Sequence, residues 1–81
     1  MLTASQCRAA RALIDWSRED LATASQISAR TIMDFESGAR NPLTGTRLML
    51  QNALEAAGIE FIDRDDDKGS GVRLSAPEPE N

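Results

Sequence analysis

The 81-residue sequence contains no histidine and no tyrosine, one cysteine, Cys7, and only three aromatic residues, Trp16, Phe35 and Phe61. Each shortage removes a class of chemistry. Without histidine there is no imidazole base and no Cys/His zinc site, and a single cysteine excludes an intramolecular disulfide. No apolar run approaches the ~18 residues of a membrane span. The start lacks the basic flank and apolar stretch of a signal peptide, so a cytoplasmic protein without membrane association is expected. No phosphate-cradling glycine loop, nucleophile arrangement or carboxylate pair backed by a pocket stands out. The expectation is therefore no enzyme, no cofactor and no metal; Asp65-Asp66-Asp67 lacks the alternate spacing and closing glutamate of a calcium loop and reads as a solvated acidic loop.

What is present is an apolar content of 41%, enough for one small helical core near the lower size limit for unaided stability. The net charge of −4 is unevenly spread. Residues 1–58 hold six arginines and six acids, whereas the remainder holds seven acids against Arg64, Lys68 and Arg73. The acidity thus belongs to the C-terminal segment, where it aids solubility and weakens non-specific attraction to nucleic acid.

Helix starts are the clearest local signals. Thr3 with Gln6 forms a capping pair for a helix from about Ala4 to Ile14, with Cys7, Ala10, Leu13 and Ile14 at core spacing. Ser17 with Asp20 opens a second helix, with Leu21 and Ala22 inward and Trp16 packed beneath it. Ser28 with Thr31 opens a third, with Ile32 and Phe35 inward and Gly38 as its stop. Ala24-Ser25-Gln26-Ile27 leaves room for a tight turn between them, a helix-turn-helix pattern. Arg40-Asn41-Pro42 reads as a loop. Asn41 or Thr44 starts a last helix carrying Leu48, Leu50, Ala53, Leu54 and Ala57 to Gly58. Beyond it the period shortens: Ile59-Glu60-Phe61-Ile62 and Gly71-Val72-Arg73-Leu74-Ser75 predict two short strands around a loop over 63–70, and the Pro/Glu-rich residues 76–81 predict a disordered tail.

Trp16-Ser17-Arg18-Glu19-Asp20-Leu21-Ala22, Ile27-Ser28-Ala29-Arg30-Thr31-Ile32 and Phe35-Glu36-Ser37-Gly38 together resemble the Cro/C1-type repressors of bacteria and phage, also called the xenobiotic-response-element family, over roughly residues 4–58. The resemblance implies a mainly α fold: a compact four- to five-helix, lambda-repressor-like helix-turn-helix domain (1–58), followed by a strand-forming dimerisation segment (59–75) and a tail (76–81). It also implies a third helix, about 28–37, that enters the major groove of double-stranded DNA, commonly as a homodimer on a two-fold operator. Two positions depart from the family pattern. Arg18 stands where glutamine is frequent, and Ser25-Gln26 stands where a turn glycine is frequent, so one turn residue must accept a positive φ.

Site residues follow from this reading. Ser28, Ala29, Arg30, Thr31, Met33 and Asp34 point away from the Ile32/Phe35 stripe and are the expected base contacts: Arg30 for guanine O6 and N7, Ala29 and Thr31 for thymine methyls. Asp34 either accepts from cytosine N4 or pairs with Arg30, and the plain alternative for the whole set is a solvated helix face. Ser17, Arg18, Arg40 and Asn41 are the expected phosphate contacts, with Arg47 a weaker one. Arg8 and Arg11 are expected to be solvated or paired with Asp15, and Cys7 to be a small buried apolar residue. Ile59, Phe61, Val72 and Leu74 either close the core or form a dimer interface. The leading expectation is a sequence-specific transcriptional regulator, a repressor; the alternative is an antitoxin or antiactivator of the same fold that binds a protein partner through the acidic tail.

Overall fold

A computed structural model describes residues 2–79. The described residues form four helices and a two-stranded sheet: α1 (Ala4–Leu13), α2 (Arg18–Ser25), α3 (Ala29–Glu36), α4 (Thr44–Ala56), β1 (Ile59–Ile62) and β2 (Gly71–Leu74). The mainly α composition and the terminal strand pair agree with the sequence, with four helices present.

Local chemistry sets three of the four helix starts. Thr3 and Gln6 form a reciprocal capping box on α1, and Ser17 and Asp20 form another on α2, each hydroxyl accepting from one backbone N–H while the partner side chain accepts from the cap's own N–H. Ser28 caps α3 by accepting from Thr31 N–H. The fourth start differs: Leu43 is the N-cap of α4 and provides no side-chain hydrogen bond. Between α2 and α3 the chain turns at Gln26, whose φ of 64° is the positive angle the turn demanded; its N–H donates to the Ala22 carbonyl. Helix α2 runs through Ser25, so the turn is shorter than the sequence suggested.

The core gathers Leu2, Cys7, Ala10, Leu21, Ile32, Phe35, Leu50, Leu54 and Ile59 from every helix and from β1. Helix α2 packs on α3 and α4, while α1 packs on α3, α4 and β2. Two residues expected inside lie outside: Leu13 is 42% and Leu48 51% exposed. Leu13, three residues beyond Ala10, sits at the edge of α1's apolar stripe, whereas Leu48, two residues before Leu50 and six before Leu54, is turned away from both on α4.

Strands β1 and β2 pair antiparallel, with Ile59 opposite Leu74 and Ile62 opposite Gly71. Gly58, at φ 103°, ends α4, and its carbonyl accepts both the N–H (2.8 Å) and the hydroxyl (3.0 Å) of Ser75, closing one end of the ladder. Gln6 holds the other end: its side-chain amide donates to the Gly71 carbonyl at 2.9 Å and to the Ile62 carbonyl at 3.3 Å. Ile59, for which both core closure and a dimer interface were open, is 2% exposed inside its own chain's core. Phe61, Val72 and Leu74 pack partly buried against that core. The sheet turns its apolar positions onto α1 and α4 because a lone hairpin cannot leave them in water. Residues 76–79 form no helix or strand, and the rest of the expected tail, residues 80 and 81, lies outside the described residues.

Candidate functional site

Helix α3 divides sharply around its axis. Ile32 and Phe35 face inward, whereas Ser28, Arg30 and Met33 are exposed and Ala29, Thr31 and Asp34 are half-buried. Of the six residues read as base contacts, Arg30 and Asp34 lie opposite the core stripe, whereas Ala29 stands three residues before Ile32 and seven before Glu36, at the buried side. The Ser28 hydroxyl also donates to the Thr31 hydroxyl at 2.9 Å, fixing two polar groups at the helix start. One turn on, Arg30 Nε donates to the Asp34 carboxylate at 3.2 and 3.3 Å, an i,i+4 ion pair in which the arginine side chain is 77% exposed.

The chain leaving α3 folds back along the same side. Asp34's carbonyl accepts the Arg40 N–H at 3.2 Å and the Ser37 hydroxyl at 3.2 Å, which draws the loop against the helix end. Arg40 and Asn41 are exposed on that loop. With Thr31, Asp34, Pro42 and Leu43 they line a hollow of about 280 Å³. The structure thus places two expected phosphate contacts, Arg40 and Asn41, beside two expected base contacts. The guanidinium of Arg47, the weaker candidate, lies over the Phe35 ring, 5.4 Å from the centroid.

Arg18 and Ser17 lie elsewhere. Ser17 is exposed, its hydroxyl accepting from Asp20 N–H. Arg18 opens α2, and its Nε donates to Glu36 Oε1 at 3.1 Å while 41% of the side chain stays exposed. The sequence reading did not anticipate this acceptor. Glu36 has a fully enclosed side chain, yet it sits among cations: Arg11 grips it in a fork, Nε to Oε2 and Nη2 to Oε1, both at 2.7 Å. Cys7 Sγ donates to Oε2 at 3.1 Å, and Arg8 donates to the Glu36 carbonyl. Arg11 is therefore neither solvated nor paired with Asp15, as its position on α1 had suggested; a forked guanidinium suits a buried carboxylate far better than an exposed one.

Charge in this cluster follows from geometry. Burial pushes the Glu36 carboxyl upward, but the hydrogen bonds from Arg11 and Cys7, the Arg11 charge and the bond from Arg18 outweigh it and hold Glu36 below the ordinary carboxylate range. The hydrogen bonds that Arg11 donates to the Glu36 carboxylate raise its own value. Burial first, and then donation to a carboxylate, push the Cys7 thiol far above the usual range, so it stays protonated and is a poor nucleophile. No sequence spacing announces this hub, because its members come from α1, α2 and α3.

On the acidic loop, Asp65 Oδ1 accepts the N–H groups of Asp67 (2.8 Å) and Lys68 (2.7 Å), which hold its carboxyl below the ordinary range. Among the described residues no group of three or more His, Cys, Asp or Glu side chains is placed to hold a metal ion, and no helix is long and apolar enough to cross a membrane. No protein-family model and no curated protein matches the chain.

Proposed function

We propose that the protein is a sequence-specific double-stranded DNA-binding regulator, acting as a repressor, with α2 and α3 as a helix-turn-helix and α3 as the recognition helix. The observation that carries this reading is the shared side of α3 and the following loop: Arg30 and Thr31 lie on the helix, and Arg40 and Asn41 border the hollow that Thr31 also lines. Base-reading donors and backbone-gripping donors then meet a duplex together. Ser28, Ala29 and Met33 complete the base-facing set. Arg18 and Ser17, at the start of α2, meet the backbone on the other side of the groove, where the helix dipole adds to the attraction.

A palindromic operator calls for two copies. The exposed apolar residues Ile62 beyond the hairpin core and Leu48 and Met49 on α4 are the surfaces on which a homodimer would form. A second reading is favoured by the charge partition: a C-terminal segment rich in acids suits a basic protein partner, as in an antitoxin.

Fluorescence anisotropy tests the leading reading, with labelled duplex from upstream of the protein's own gene and scrambled duplex titrated across a salt series. Preferential, salt-sensitive binding is expected. Arg30→Ala costs about 1–3 kcal/mol on the preferred duplex only, and Arg40→Ala weakens both duplexes alike. Absence of binding to either duplex at low salt overturns the reading and shifts it to the protein-binding alternative.

A further inference from the structure

The ion pair on the outer face of α3 has an unequal construction. The Asp34 side chain is 19% exposed and that of Arg30 77% exposed. The carboxylate is consequently the fixed partner and the arginine the presented one. Asp34 is anchored again through its carbonyl, which accepts from Ser37 and from the Arg40 N–H, so a single residue fixes both the arginine on the helix and the loop that carries Arg40. Both carboxylate oxygens are taken up by Nε alone. A guanidinium held at Nε keeps its two Nη groups as donors, and two parallel N–H donors are what guanine O6 and N7 accept.

We infer that Asp34 is a positioning residue for sequence discrimination, holding Arg30 for a base edge while cancelling the charge that would otherwise bind Arg30 to any phosphate. The inference rests on the DNA-binding reading above. Without the carboxylate, Arg30 and Arg40 are two cations on the same side of the helix, and an exposed arginine at a groove mouth gains sequence-independent affinity through counterion release. With it, the pair contributes no net charge to a wrong duplex but keeps the donor geometry for a right one. Specificity is a difference between affinities, so weakening wrong complexes raises it as surely as strengthening the right one.

The test uses the full chain and a preferred duplex recovered by the wild-type protein from a randomised pool, with a scrambled duplex for comparison. For Asp34→Ala, affinity for the scrambled duplex rises and the slope of log K against log salt steepens by about 0.9 per bound subunit. The ratio of preferred to scrambled binding falls about tenfold, close to 1.4 kcal/mol. In an Arg30→Ala background the same substitution changes neither slope nor ratio. Asp34→Asn, which keeps side-chain size and removes charge, reproduces the steeper slope and serves if the alanine variant folds poorly.

An unchanged ratio overturns the inference, as does an equal change in the Arg30→Ala background, or loss of preference at a single cytosine, which would make Asp34 itself a base reader. Failure of the wild-type protein to enrich any sequence is a different result: it removes the DNA-binding reading, and the inference with it.

Discussion

Helix α3 carries two arginine–carboxylate pairings two residues apart, and they behave as opposites. Glu36 is sealed in the interior, gripped by Arg11 at 2.7 Å through both oxygens and touched by Arg18 and Cys7. Asp34 meets a single arginine, more loosely, at the surface. The buried cluster cannot lose Glu36 or Arg11 without stranding a charge, whereas the surface pair can open and close at little cost. The same two functional groups therefore serve as architecture at one position and as an adjustable contact at the other, and the difference lies in what surrounds them.

Removing the carboxylate from the buried cluster should break this comparison most severely. Glu36→Ala leaves Arg11 beside the core with no counter-charge and Cys7 with no acceptor. A loss of about 3–5 kcal/mol is expected in urea denaturation, a large share of the stability of a domain this small. A loss below 1 kcal/mol would show that the cluster is as dispensable as a surface pair. Asp34→Ala, by contrast, should stay within about 0.5 kcal/mol of wild type in the same assay.

Acid sharpens the contrast. Because Glu36 is held below the ordinary carboxylate range in the folded chain, its contribution is complete above the unfolded carboxyl's titration and is lost as pH falls through the lower folded value. Denaturation midpoints should therefore fall as pH is lowered through the acid range, and the fall should be shallower in Glu36→Gln. Equal pH slopes in the two proteins would remove Glu36 from the account of acid stability.

Arg18 stands between the two cases, touching the buried carboxylate by one nitrogen while much of its side chain faces solvent. Arg18→Ala should cost only about 1 kcal/mol of stability, since Arg11 keeps Glu36 forked. It should also lower the salt slope of duplex binding by about one counterion. A large stability loss with no change in slope would place Arg18 wholly with the architecture.

The parts of this fold that were legible in the sequence are those fixed by neighbours along the chain. Thr3, Ser17 and Ser28 announced helix starts because a capping hydroxyl needs a partner only three residues away. Ser25-Gln26, standing where a turn glycine is frequent, announced that one of the two takes a positive φ, and alternation announced the strands. The hub was not legible, because a glutamate before a helix-ending Ser-Gly looks solvent-facing until Cys7, Arg11 and Arg18 are brought to it from other helices. Leu13 was misplaced because it lies at the edge of its stripe, and Leu48 because its apolar character was followed rather than its spacing, which turns it away from Leu50 and Leu54. Of the candidate site, the outward side of α3 was readable, and its hollow with Arg40 and Asn41 was not, since that depends on a hydrogen bond from the loop to the Asp34 carbonyl.

The two hydrogen bonds from Gln6 to the hairpin have a consequence for the order in which the molecule can be made. They join residues 56 and 65 positions apart, tying the first helix to both strands of the hairpin. On a ribosome the first helix emerges early, yet the Gln6 amide must wait until Ile62 and Gly71 have followed it before it meets their carbonyls. Ile59, which fills the same core, arrives equally late. Closure of so long a loop is a slow step relative to local helix formation. The sealing of the first helix thus waits for the second strand of the hairpin.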